Sequence, residues 1–230
     1  MNIGIIGYGK MGREIEKIAL QKGHNILLKI NSKNHHLLNS KNIADIDVAI
    51  EFSTPETAFE NIIFCINNKI PIVCGTTGWL NKLEEVKNLC LEHPTSFIYA
   101  PNFSIGVNLF FDINNYLSKL MSGKKYQFSV EETHHITKKD KPSGTAIKIL
   151  NDILKNSPYI DNAHSQIQSH RIGETTGVHT IKYKSEIDEI ELTHKAHNRL
   201  GFAEGALLAA EFIKNKTGFF TMKDIITNLK

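Results

Sequence analysis

The chain has 230 residues and a mass of 25.9 kDa, with 41% apolar and 22% charged residues, proportions of an ordinary globular protein with room for one large domain or two small ones. Its 27 basic and 24 acidic residues leave a charge of +3, too small and too scattered for a nucleic-acid reader, and no apolar run approaches the ~18 residues of a membrane span. Met1-Asn2 leads straight into Ile3-Gly4-Ile5-Ile6-Gly7 without a secretory pattern, and Cys65, Cys74 and Cys90 form no CxxC pair, so a soluble cytoplasmic protein with reduced thiols is expected.

In chain order, short β-branched runs at Asn2–Ile6, Asn25–Ile30, Asp47–Phe52, Ile70–Cys74 and Ser96–Ala100 alternate with helical stretches such as Gly12–Lys22, Pro55–Asn68 and Leu80–Leu91. Short apolar runs bounded by Gly, Pro or Asn suit strands buried on both faces. Their alternation with helices predicts an α/β domain, a Rossmann-like doubly wound parallel sheet with right-handed crossovers.

After Pro101 the rhythm changes. A helix is predicted over Ile105–Met121, where Ile105, Leu109, Ile113, Leu117 and Leu120 recur at helical spacing. An extended segment at Tyr126–Thr133 leads into a polar loop from His134 to Pro142, and a second helix is expected to start at Ser143. Ser165–Arg171, Val178–Lys184 and Glu189–Lys195 read as strands of a mixed or antiparallel sheet. Helix returns over Phe202–Lys214 and Met222–Asn228. With no repeat or long linker, a second α+β domain joined closely to the first is expected.

Gly7-Tyr8-Gly9-Lys10-Met11-Gly12 spells GxGxxG between the first strand and the first helix. Such glycines permit a tight turn and close approach to a pyrophosphate, whose charge the helix N-terminus favours. Gly4–Lys10 also fits GxxxxGK, but Met11 stands where a P-loop needs Ser or Thr. The second strand ends in Leu27-Leu28-Lys29-Ile30-Asn31-Ser32-Lys33, without the acid that grips an NAD ribose. Lys29 and Lys33 either attract a 2′-phosphate or are ordinary solvated lysines, so NADPH, or both NADPH and NADH, is expected. Gly75-Thr76-Thr77-Gly78 and Pro101-Asn102-Phe103 follow the fourth and fifth strands, where open α/β sheets bind ligands, though each alone is also an ordinary turn.

The stretch from Glu131 to Ala146 holds the densest chemistry. Adjacent His134 and His135 would point to opposite faces of a continuing strand, so both serve one site only if the strand ends there. Pro142-Ser143-Gly144-Thr145 reads as a helix start whose N–H groups and hydroxyls form an anion cradle. Histidine, lysine and a helix N-terminus in one short stretch suit a substrate carrying carboxylates, with the histidine able to deliver a proton near neutral pH. Read blandly, the same residues are a solvated basic loop and a routine N-cap.

Taken in order, GYGKMG, GTTGW, APNFSIGVN, ETHH, KPSGTA, RIGETTGVHT and ELTHKAHNRLGFAEGAL resemble the dihydrodipicolinate reductase family over essentially the whole chain. The resemblance implies hydride transfer from NAD(P)H to the dehydrated form of hydroxy-tetrahydrodipicolinate, a cyclic dicarboxylate, on the diaminopimelate route to lysine. It makes His134 the general acid and Lys138 the second catalytic residue, with His135, Ser143, Gly144 and Thr145 on the substrate carboxylate. Gly7, Tyr8, Gly9, Lys10, Met11, Gly12 and Lys33 would line the dinucleotide, joined by Gly75, Thr76 and Thr77. Ala100, Pro101, Asn102 and Phe103 would reach the nicotinamide end. The implied domains are 1–104 with 200–230 for the dinucleotide, and 105–199 for substrate and for a homotetramer built on the middle sheet. Departures are Ile136 and Thr137 where many members have arginine and histidine, Lys141 in place of a common alanine, the missing acid after the second strand, and a brief Asn31–Asp45 segment.

No metal site is expected: His194-Lys195-Ala196-His197 has neither HExxH spacing nor a thiolate or carboxylate frame. Arg171, Gly173 and His179 read as support for the substrate loop, with a carboxylate contact by Arg171 equally open, and Trp79 and Phe103 read as packing residues. The rival readings are a two-domain NAD(P)-dependent amino-acid dehydrogenase, acting on diaminopimelate or aspartate, and a dinucleotide sensor without catalysis. Neither has reason to keep His134, Lys138 and the cradle together.

Overall fold

The structure, a computed structural model, describes residues 1–156 and 167–229. In chain order the elements are β1 (Asn2–Ile6), α1 (Lys10–Gln21), β2 (Asn25–Ile30), α2 (Ser40–Ile43), β3 (Val48–Glu51), α3 (Pro55–Asn67), β4 (Ile72–Cys74), α4 (Leu83–Glu92) and β5 (Ser96–Tyr99). They continue with α5 (Ile105–Met121), β6 (Gln127–His134), α6 (Gly144–Asn156), β7 (Ile167–Arg171), β8 (Gly177–Lys184), β9 (Glu189–Ala196), α7 (Leu200–Ile213), β10 (Gly218–Phe220) and α8 (Met222–Thr227). Two compact units divide the chain: Met1–Ile105 with Leu200–Lys230, and Gly106–Arg199.

The first unit is a parallel sheet in the order β10-β5-β4-β3-β1-β2. Successive strand residues face opposite sides, and both sides are apolar. Ile3, Ile5, Val48, Ile50, Val73 and Ile98 pack with Ile15 and Ile18 of α1 and Ala206 and Ala210 of α7. Ile6, Ala49, Ile72 and Phe97 pack with Ile62 and Ile66 of α3 and Val86 of α4. Helices on both faces explain why these strands read as unbroken apolar runs. Strand order reverses at β1, the switch point where open sheets take ligands beyond their carboxyl ends.

The second unit is a mixed sheet in the order β7-β6-β8-β9, with β6 parallel to β7 and antiparallel to β8. Alternation buries Phe128, Val130, Glu132 and His134 of β6 beside His179, Ile181 and Tyr183 of β8. Helix α6 buries Ala146, Ile149, Leu150 and Ile153.

The structure adds local detail to this reading. The periodic stripe on α5 is its exposed face: Leu109 is 45%, Ile113 51% and Leu120 53% exposed, whereas Val107, Phe110, Phe111, Asn114 and Ser118 are buried. Asn114 hydrogen-bonds the Ile149 carbonyl, so a polar residue holds the inner face. The Leu80–Leu91 helix opens as a 3-10 turn over Leu80–Lys82 before α4. Strand β10 and helix α2 are too short for a periodic signal and come from the structure alone. Residues 165 and 166 of the anticipated Ser165–Arg171 strand lie outside the described residues.

Candidate active site

In the first unit the glycine loop turns between β1 and α1. Gly7 adopts φ +92°, and a Cβ there would lie 2.2 Å from the Phe52 carbonyl oxygen, so only glycine fits. The Gly7 and Tyr8 N–H groups donate to the Ile30 carbonyl at 2.9 and 2.7 Å, tying the loop to the end of β2. Gly9 is the N-cap of α1, has no side chain to cap it, and an added Cβ there would meet nothing within 4 Å. An uncapped first turn facing open space suits an anion.

The other dinucleotide candidates divide. Tyr8 hydroxyl donates back to Glu16 on α1, and Lys29 pairs with the same carboxylate at 3.0 Å while lying 5.3 Å from the Tyr8 ring. Lys29 is therefore neutralised, while Lys33 is exposed in a turn where its N–H donates to Asn31 Oδ1. Lys10 is exposed, and Met11 packs on the core. Gly75 lies against the Phe52 ring, 2.2 Å from an added Cβ. Thr76 is buried with its Oγ1 lacking a hydrogen-bond partner, while its carbonyl accepts from Trp79 Nε1 at 2.7 Å. Thr77 follows in the same loop. Ala100 is buried, its N–H donating to Cys74, and Pro101 and Asn102 continue that turn, where Asn102 Oδ1 accepts from Ser104 N–H. Phe103 is 2% exposed with its ring 5.9 Å from Phe52, so it can offer a ligand only backbone. The open α1 terminus and the orphaned Thr76 hydroxyl fit a dinucleotide phosphate.

The second unit holds the acid–base candidates. Strand β6 ends at His134, and His135 enters the turn, where its Nδ1 lies 2.8 Å from Thr137 Oγ1. The two histidines are thus released from strict alternation. Lys138 follows, its ammonium 2.8 Å from Asp140. Ser143 caps α6, its hydroxyl accepting from Ala146 N–H at 3.2 Å, which sets the first-turn N–H groups of Gly144 and Thr145 at the positive end of the helix.

Behind these residues lies a carboxylate that the motif reading passed over. Glu132 is 1% exposed and accepts from Ser143 N–H at 3.0 and 3.2 Å and from Arg171 at 3.3 and 3.4 Å. Sheet register delivers the partners: Glu132 lies opposite His179 on β8, and His134 pairs Arg171 on β7. Glu132 Oε2 lies 3.4 Å from His134 Nδ1 and 3.8 Å from His179 Nε2. Burial pushes the Glu132 carboxyl up, but the Ser143 and Ser169 hydroxyls, His134 and Ser143 N–H outweigh it and hold it below the usual range.

Burial lowers His134 to about 4; Glu132 opposes this, Lys138 and Arg171 add to it, and Asp140 opposes. Burial likewise lowers His179 to about 3. Arg171 is engaged by Glu132, by the His170 carbonyl and by the Asp140 carbonyl at 2.6 Å, which makes it a strap for the Lys138 loop. Gly173 continues that support, its carbonyl accepting from Ile136 N–H. Among the described residues, Glu132, His134 and His179 form the group whose donor atoms lie within 4.8 Å of one another. The guanidinium and N–H donors already on that carboxylate mark it as a hydrogen-bond network. His194, beside Phe110, and His197 join no such group.

The family models described as "Dihydrodipicolinate reductase, N-terminus" and "Dihydrodipicolinate reductase, C-terminus" match residues 1–103 and 106–226. A protein of Christiangramia forsetii named 4-hydroxy-tetrahydrodipicolinate reductase is 44% identical, covering all of this chain and 99% of its own. One of Thermosipho africanus with the same name is 35% identical over 98% of both chains. The dipicolinate-bound dihydrodipicolinate reductase of Paenisporosarcina sp. TG-14 shares the fold, with a TM-score of 0.76 at 22% identity over 96% of this chain and 97% of its own.

Proposed function

The chain belongs to the dihydrodipicolinate reductase family, and from that premise we propose how its own residues carry the reaction. The protein is an oxidoreductase that reduces 4-hydroxy-tetrahydrodipicolinate to tetrahydrodipicolinate with NAD(P)H, on the diaminopimelate route to lysine. The observation that carries the reading is one buried carboxylate, Glu132, that meets both His134 and the α6 N-terminus, with Lys138 near enough to His134 to act on its charge.

Residues 1–104 and 200–230 bind the dinucleotide, with the α1 N-terminus on its pyrophosphate and Thr76 Oγ1 gaining the partner it lacks. When bound, the reduced nicotinamide supplies hydride. Lys33 is the exposed cation for a 2′-phosphate, because Lys29 is spent on Glu16, and this favours NADPH while leaving NADH usable.

Residues 105–199 take the cyclic dicarboxylate. The Gly144 and Thr145 N–H groups, Ser143 and His135 receive one carboxylate, and Lys138 turns from Asp140 toward the substrate. Hydride addition leaves an electron-rich ring carbon, which His134 protonates. A value of about 4 leaves His134 neutral in the empty site, so the arriving carboxylates must restore its proton affinity. The substrate thereby charges its own acid. On this reading the protein acts in the cytoplasm as a homotetramer, for which the exposed apolar stripe of α5 offers a surface to bury.

The test follows loss of reduced-nicotinamide absorbance with ring substrate generated from pyruvate and aspartate semialdehyde by its synthase. Wild type should oxidise NADPH faster than NADH. His134→Gln and Lys138→Ala should each lose about 100-fold or more in kcat while binding cofactor normally. No oxidation by folded, cofactor-bound wild type would overturn the reading and favour a sensor.

A further inference from the structure

Glu132 and His134 are two residues apart on β6, so they share a face, and the imidazole presents Nδ1 to Oε2 at 3.4 Å. That nitrogen is buried and makes no hydrogen bond, and this carboxylate is the ion-pair partner that faces it. An ionised carboxylate only accepts, so the nitrogen facing it carries the proton and Nε2 is left to exchange. The same carboxylate also fixes Ser143 N–H, the residue that caps α6.

We propose that Glu132 is the positioning residue of this site, one buried carboxylate that sets the tautomer of the proton donor and the seat of the anion cradle together. The inference rests on His134 being the proton donor. The groups facing His134 are Glu132 from β6, Lys138 and Asp140 from the following loop, Arg171 from β7 and His179 from β8. Lys138 and Arg171 disfavour the imidazolium, Asp140 is already paired with Lys138, and Glu132 favours it more strongly than Asp140 does. At 3.4 Å the pair falls short of a hydrogen bond, and on this proposal charging His134 draws the two groups together.

Glu132→Gln keeps an oxygen for Ser143 N–H but removes the charge. It should leave the KM for ring substrate within about three-fold, leave cofactor affinity unchanged, and move the basic limb of the kcat–pH profile down by about one unit, a loss of about ten-fold above that limb. A purely structural role would not move that limb. Histidine-15N spectra of wild type, with His134 assigned by the His134→Gln difference, should show the proton on Nδ1 in the neutral ring. An unchanged pH profile in Glu132→Gln, or a wild-type proton on Nε2, would overturn the proposal. If Glu132→Gln fails to fold, the wild-type tautomer decides alone. Absent turnover by wild type would instead sink the reductase reading, and the tautomer would still be read.

Discussion

Gly177, the first residue of β8, borders His134 Nε2, the nitrogen proposed to hand over the proton. A Cβ there would lie 3.2 Å from His134 Nε2 and 3.8 Å from the His179 ring, closer to Nε2 than ordinary contact, so the imidazole must yield by a few tenths of an ångström. Gly177→Ala should therefore lower kcat about ten-fold while leaving cofactor affinity unchanged, because a small misplacement of a reacting group is costly. Stopped-flow turnover with a parallel cofactor titration reads both, and an unaltered kcat would refute the crowding. The parts of this site that are neighbours in sequence were legible from it: His134, Lys138 and Ser143 share one loop and one helix cap. Arg171 and His179 were read as loop support, but that they gather on Glu132 follows only from the register of β6 with β7 and β8, and pairing across strands leaves no local signature. One signal was present, the two-residue spacing of Glu132 and His134 on an alternating strand.

At the level of elements, α7 rests against the turn after β5 with no room to spare. A Cβ at Gly205 would fall 1.8 Å from the Phe103 carbonyl oxygen, so the helix can approach that backbone only where a side chain is missing. Gly205→Ala removes a flexible residue from a helix, which in isolation stabilises, yet here it must push α7 off its neighbours Ala100, Ile98 and Val73 in the shared core. Overpacking should win, costing ~1–3 kcal/mol and lowering the urea midpoint without a change in slope. A midpoint at or above wild type would show that α7 moves freely. Strands β1, β3, β4 and β5 were readable because burial on both faces makes them continuous apolar runs, and the edge strand β2, with Leu27 and Lys29 exposed, from its shorter apolar run. Helix α5 was readable as a helix, but not which of its faces is inner, because its buried face contains Asn114 and Ser118 while its outer face carries the leucines.

Across the whole molecule, acid should act on the two units unequally. Among the described residues, the histidines held below their ordinary range, His134, His179 and His194, all lie in the second unit, and burial is the leading cause for each. Above the ordinary value of 6.5 these rings are neutral whether folded or not, and their contribution is complete. Between 6.5 and about 4 for His134, or about 3 for His179, the unfolded chain binds protons that the folded unit refuses. Stability therefore falls with pH through that window and levels off below it. Trp79, the single tryptophan, belongs to the first unit and is buried against Phe97 and Tyr99. As pH is lowered from 6.5 toward 4, far-ultraviolet ellipticity should decline before Trp79 emission shifts, a departure from two-state unfolding that the two probes expose directly. Coincident transitions would mean that the histidine penalty is shared by the whole chain. An early change in Trp79 emission would place the acid-sensitive step in the first unit, where neither of the two most strongly depressed histidines resides.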